Sequence, residues 1–129
     1  MDHYQCKLGE EGGCLVAAFT GQISTRFYSS FRDDYNEICR RLSLSKGQRL
    51  IIDLTETCFF GSLFVGIILK LSVTVGQQDG QFALCGLSEQ LSDLMKKLML
   101  LEKNSDSAGY LKHYSTRAEA VSALVKQDA

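Results

Sequence analysis

The chain predicts an α/β fold: one mixed sheet of about four to five strands that opens with an antiparallel hairpin, accompanied by four helices. Three stretches lead there. Arg49 to Leu54, RLIIDL, has no polar alternation, which suits a central strand of a parallel sheet covered on both faces. Leu63, Phe64, Val65, Ile67, Ile68, Leu69 and Leu71 then give a helix apolar nearly all round, which must be largely buried. Near the start, His3, Gln5 and Lys7 alternate with Tyr4, Cys6 and Leu8 as in a half-buried edge strand. Glu10-Glu11-Gly12-Gly13 next offers a turn into an apolar run from Cys14 to Thr20, completing a hairpin.

The other elements follow in order. From Thr25 onward Phe27, Phe31, Tyr35, Ile38 and Leu42 recur at helical spacing, with Arg32, Asp33, Glu37, Arg40 and Arg41 on the other side. Ser24 or Thr25 can cap this helix, and Gly47 lies in the loop that ends it. The strand at 49–54 leads through a short turn to a helix over about 62–76, with Ser62 where it begins, and Gln77-Gln78-Asp79-Gly80 returns the chain to a strand at 81–85. Ser88 caps the next helix, which carries Leu91, Leu94, Met95 and Leu98, with Glu89 early and Lys96 and Lys97 late, in line with the macrodipole. A polar loop over 102–109 precedes a short strand at 110–114. Thr116 and Glu119 have capping-box spacing and open a last helix with Ala120, Val121 and Leu124 inward. The order implies right-handed βαβ crossovers after the hairpin, for which one layer of sheet and one of helices would suffice.

With 129 residues, 45% of them hydrophobic, the chain fits one domain over 1–129, and such a domain buries roughly two thirds of its unfolded surface. The formal net charge is -1 with Lys and Arg scattered among Asp and Glu, so no basic face tracks a phosphate backbone and nucleic acid is excluded as a direct partner. Cys6, Cys14, Cys39, Cys58 and Cys85 are odd in number and lack CxxC spacing; they read as reduced thiols of a cytoplasmic protein. Met1-Asp2-His3-Tyr4-Gln5 has neither a basic region nor an apolar run, which predicts no secretory signal. The longest apolar stretch, Leu63 to Val75, is interrupted by Gly66, Lys70, Ser72 and Thr74 and falls short of the roughly 20 residues that cross a bilayer. No membrane association is expected.

The candidate chemistry is sparse. Asp53 at a strand end has no second carboxylate beside it and reads as a residue that orders the loop before Ser62 rather than as a base. Cys58 in that loop has no His or Arg close in sequence to lower its pKa and reads as inert. His3 and His113 lack metal-ligand spacing, and Gly76, Gly80 and Gly86 punctuate turns without forming a phosphate-cradling loop. The expectation is a protein with no catalytic residues, no cofactor and no metal.

Phe19-Thr20-Gly21-Gln22-Ile23-Ser24, then Leu50-Ile51-Ile52-Asp53-Leu54 with Phe60-Gly61-Ser62-Leu63-Phe64-Val65-Gly66, and finally Phe82-Ala83-Leu84-Cys85-Gly86-Leu87-Ser88 resemble, in order and spacing, the STAS domain family of bacterial anti-sigma factor antagonists. The resemblance covers nearly the whole chain. It implies a STAS-like fold and a protein-interaction module for a partner anti-sigma factor that is itself a serine protein kinase. It also implies phosphorylation of the serine matching Ser62, with the unmodified form bound and the phosphorylated form released. The partner-facing set expected is Ser24, Asp53, Cys58, Phe59, Gly61, Ser62, Leu63 and Phe64, whereas Phe60 reads as core. This sequence departs from the family pattern at Gly61, in place of an acidic residue, at Leu63 and Phe64, in place of small ones, and at Ser24, in place of aspartate. Two alternatives stay open: a non-phosphorylated scaffold within a larger complex, and a STAS domain holding a small molecule or lipid in an apolar groove between the first helix and the sheet. Ser62 is also a good N-cap by residue type. The sequence does not speak to oligomeric state.

Overall fold

The computed structural model describes residues 4–23, 28–44, 47–97 and 111–127. The elements are β1 (Tyr4–Glu11), β2 (Cys14–Ile23), α1 (Tyr28–Leu42), β3 (Arg49–Phe60), α2 (Ser62–Gln77), β4 (Gln81–Cys85), α3 (Glu89–Lys97), β5 (His113–Tyr114) and α4 (Arg117–Gln127). The five strands form one mixed sheet in the order β1-β2-β3-β4-β5, with β1 antiparallel to β2 and the other neighbours parallel. The hairpin turns on Gly12 and Gly13 alone, both at positive φ (59° and 85°), the type I′ geometry that matches strand twist.

The helices divide between the two faces. Leu15, Ala17 and Phe19 of β2, Leu50, Ile52 and Leu54 of β3 and Leu84 of β4 point to the side where α1, α2 and α3 pack. Cys14, Val16, Ile51, Ala83 and Cys85 point to the opposite side and meet Ala120 and Leu124 of α4. A single helix layer therefore does not suffice. The unalternating apolar run of β3 required cover on both sides, and α4 supplies the second cover.

Two expected boundaries shift, the end of β2 from Thr20 to Ile23 and the end of β3. β3 does not end at Leu54; it continues for six residues to Phe60, because Thr20 to Ile23 of β2 run on beside it and pair Thr20 with Glu56 and Ile23 with Phe60 across bulged register. The expected turn before Ser62 is thus strand. The capping expectations at Ser88 and Thr116 hold, since their hydroxyls accept from the amides of Leu91 and Glu119, both at 3.2 Å. His3, Ser24, Thr25, Phe27, Leu98, the 102–109 loop and Tyr110 lie outside the described residues.

Candidate functional site

β2 and β3 overrun β4 at their carboxyl ends, and α2 starts from the tip of this ribbon. The overrun is tied by Thr57, whose hydroxyl donates to the carbonyl of Phe19 at 2.8 Å, and by Gly61, whose amide donates to the carbonyl of Ile23 at 3.0 Å. Gly61 is the N-cap of α2, with extended backbone (φ -100°, ψ -178°), and Ser62 is the first helical residue. Ser62 is therefore not the cap that its residue type suggested. No side chain caps α2 and no acidic residue occupies its first turn, so the amino-terminal amides and the positive dipole end are left without a charged or side-chain partner from the helix itself.

Beneath this helix start lies an aromatic cluster. The ring of Phe64 packs edge-on against Phe19 (centroids 5.0 Å apart) and Phe31 (6.3 Å) and tilted against Phe60 (5.5 Å). Phe64 and Phe60 are each 1% exposed. Phe60 is core, as expected; Phe64, expected to face a partner, is the hub of the core instead, because position 64 of α2 points at the sheet. Facing outward at this end are Leu63, 46% exposed, Cys58 and Glu56 on β3, and the half-buried Gly61. Phe59 and Ser62 are placed by their backbone, at the end of β3 and the start of α2.

Asp53 orders the residues that follow it and also makes a link that the sequence did not suggest. It lies within β3, 5% exposed, on the face covered by α4. Its Oδ1 accepts from the amide (2.9 Å) and the hydroxyl (2.6 Å) of Thr55, while Nε and Nη2 of Arg117 both lie 2.8 Å from Oδ2. Burial alone would raise its pKa, but the bonds from Thr55 and Arg117 outweigh burial and hold the carboxyl below its usual value. On Cys85, its strand neighbour, burial first and the Asp53 carboxylate second push the thiol up to about 12. Asp53 is thus a clip joining β3 to the first residue of α4. No sequence signal marks Arg117 as its partner across 64 residues.

Gly86 completes the junction. It has φ +74°, and a Cβ there would collide with the hydroxyl of Thr55 and lie 2.7 Å from its amide nitrogen. Only glycine lets β4 end so close to the Asp53–Thr55 bend. Between α1 and the sheet, Phe31, Ile38 and Leu42 pack directly on the strand side chains. Among the described residues, no group of His, Cys, Asp and Glu is arranged to hold a metal ion, and no helix is long and apolar enough to cross a membrane.

The STAS domain family model matches residues 6–120. The chain belongs to the STAS domain family. Solved STAS structures share the fold. An anti-sigma-factor antagonist (STAS) domain protein from Planctomyces limnophilus superposes with a TM-score of 0.76 at 19% identity, covering 93% of this chain and 97% of that one. An anti-sigma factor antagonist from Mycobacterium paratuberculosis gives 0.76 at 18% identity, covering 96% of each. The phosphorylated form of the Bacillus cell fate determinant SpoIIAA gives 0.62 at 14% identity, covering 94% of this chain and 98% of that one. No curated protein matches the sequence.

Proposed function

We propose that this STAS domain acts as an anti-sigma factor antagonist: a bacterial, cytoplasmic interaction module, not an enzyme, that binds a serine-kinase anti-sigma factor and is released when Ser62 is phosphorylated. The observation that carries the reading is the start of α2, where Ser62 follows a glycine N-cap with neither a capping side chain nor an acidic residue in the first turn. A phosphate on Ser62 adds about -1.5 to -2 charge and three acceptor oxygens. Free amides and the positive dipole end of a helix accommodate such a group without unfolding the domain. Gly61, where the family pattern has an acidic residue, removes a negative charge that would oppose it.

Release then needs no large conformational change. The exposed Leu63 and Cys58 flank the helix start and supply apolar contact for a partner in the unmodified state. A dianion placed among them obliges the partner to desolvate it, and a penalty of about 3 kcal/mol weakens binding more than a hundredfold. Phe64 serves this surface from below, by anchoring the start of α2, while Asp53 lies on the opposite face of the sheet, under α4. Incubation with a serine-kinase anti-sigma factor and ATP, followed by intact-mass measurement and a binding assay, tests the proposal. Wild type should gain one phosphate and lose the kinase, whereas Ser62→Ala should stay unmodified and bound. Modification that persists in the variant, or kinase binding unaltered by modification, overturns it.

A further inference from the structure

The hairpin strand β1 pairs with β2 along its whole length, without a register break, and with no other strand among the described residues. Its other edge, unpaired among the described residues, presents the backbone donors and acceptors of alternate residues. The phase of that row follows from the turn. A two-residue I′ turn closes on a hydrogen-bonded pair, here Glu11 and Cys14, so Gly9 and Lys7 also direct their backbone groups to β2, while Glu10, Leu8 and Cys6 direct theirs outward.

The side chains along the strand carry a second pattern. Lys7, Gly9 and Glu11 lie on the face of the sheet that α4 covers, beyond the reach of Ala120 and Leu124 but not of Arg117, whose Nη1 lies 3.5 Å from Oε1 of Glu11, and all three are exposed. Gly9 is unexplained by the chain's own fold. It is not at positive φ, sits at no bulge, and has nothing within 4 Å of where a Cβ would be. A glycine inside a strand, without a bulge or a bend, often marks a place where a ligand or another backbone approaches.

We propose that β1 pairs with β1 of a second copy of this chain, antiparallel about a twofold axis at Gly9. In that register Gly9 faces the partner's Gly9 at a non-hydrogen-bonded position, where strands come within about 4.5 Å between Cα atoms. Leu8 and Glu10 exchange backbone bonds with the partner's Glu10 and the partner's Leu8. Lys7 then stands directly opposite the partner's Glu11, and Glu11 opposite the partner's Lys7. Charge favours this register: moving the twofold to Leu8 sets Lys7 opposite the partner's Gly9 and loses both ion pairs, moving it to Lys7 sets two lysines face to face, and moving it to Glu10 does the same for two glutamates, with like charges opposite destabilising a pair. The two sheets become one continuous sheet, and the contact lies at the hairpin end, away from Ser62 at the opposite end of the strands. The dimer is therefore independent of the switch proposed above, and each copy keeps its helix start free for a partner.

Five paired residues a side make a small interface, so the dimer is reversible and depends on concentration. Sedimentation velocity of the full chain over roughly 10 µM to 1 mM, the range in which interfaces this small dissociate, should show a monomer–dimer equilibrium. Lys7→Glu or Glu11→Lys alone should weaken it by about tenfold, and the double exchange should restore it. Glu10→Pro removes one outward amide from an exposed edge residue that β2 does not use, and should yield a folded monomer. A wild type that stays monomeric throughout, or single charge reversals that dimerise as well as wild type, overturns the proposal. So does a folded Glu10→Pro protein that still dimerises.

Discussion

The two faces of the sheet are held by different physics. On the side of α1, α2 and α3 the core is large and aromatic, with Phe19, Phe31 and Phe60 each against Phe64 and Ile38, Leu42, Ile68, Leu71 and Met95 in the same cluster. On the other side one helix, α4, meets a floor of Cys14, Val16, Ile51, Ala83 and Cys85 through Ala120 and Leu124, and a charged clip from Asp53 to Arg117 fixes its first residue. The thick face gains from burial area, which is non-directional. The thin face has less area to bury and depends on directional bonds that place one helix. The candidate surface at Ser62 is built on the thick face, so its geometry inherits the rigidity of the aromatic cluster.

The strongest way to break this contrast is Phe64→Ala. Removing a fully buried ring that touches three others should cost about 3–5 kcal/mol, measured by urea unfolding. The same change should also loosen the start of α2, because residue 64 is that helix's third residue and its main anchor to β2. A loss under about 1.5 kcal/mol would show that the cluster repacks and is not what fixes the helix start.

These faces differ in how far they could be foreseen. The thick face was legible because its signals are local: helical spacing from Phe31 to Leu42 and the unbroken apolar run around Ile68 declare which sides are buried. The same locality explains the hairpin at Gly12-Gly13 and the caps at Ser88 and Thr116. What local patterning did not reveal was pairing at a distance. Thr55 to Phe60 reads as a turn in isolation and becomes strand only because β2 extends beside it. Asp53 reads as a strand-end residue until Arg117 arrives from the far end of the chain. At the candidate site, Ser62 was placed within one residue of its position, yet the cap proved to be Gly61 and the aromatic expected to face a partner turned inward.

The clip offers a sharper test of the thin face. Arg117→Ala leaves Asp53 with its two Thr55 bonds but without its cation, and should cost about 1–2 kcal/mol at neutral pH, less than for a fully buried pair because the guanidinium is 39% exposed. Because the folded carboxyl is held below its unfolded value near 3.9, its contribution is present above that pH and disappears as pH falls through the lower folded value. The gap between wild type and Arg117→Ala, taken from urea unfolding at pH 7 and at pH 3, should therefore shrink in acid. An equal gap at both pH values would mean that Arg117 acts by packing its aliphatic stem and not through the Asp53 charge.

The smallest expected effect separates the faces most cleanly. Thr116→Ala removes the hydroxyl that accepts from the Glu119 amide, a cap whose loss costs about 1 kcal/mol. On the thick face such a loss would be spread across three interlocked helices. Among the described residues α4 stands alone on the thin face, so the cost should localise: amide exchange should quicken within Arg117–Gln127 while α1 and α2 keep their wild-type protection. Uniform quickening across all helices would instead mean that α4 unfolds only together with the whole domain, and that the two faces, despite their different bonding, form one cooperative unit.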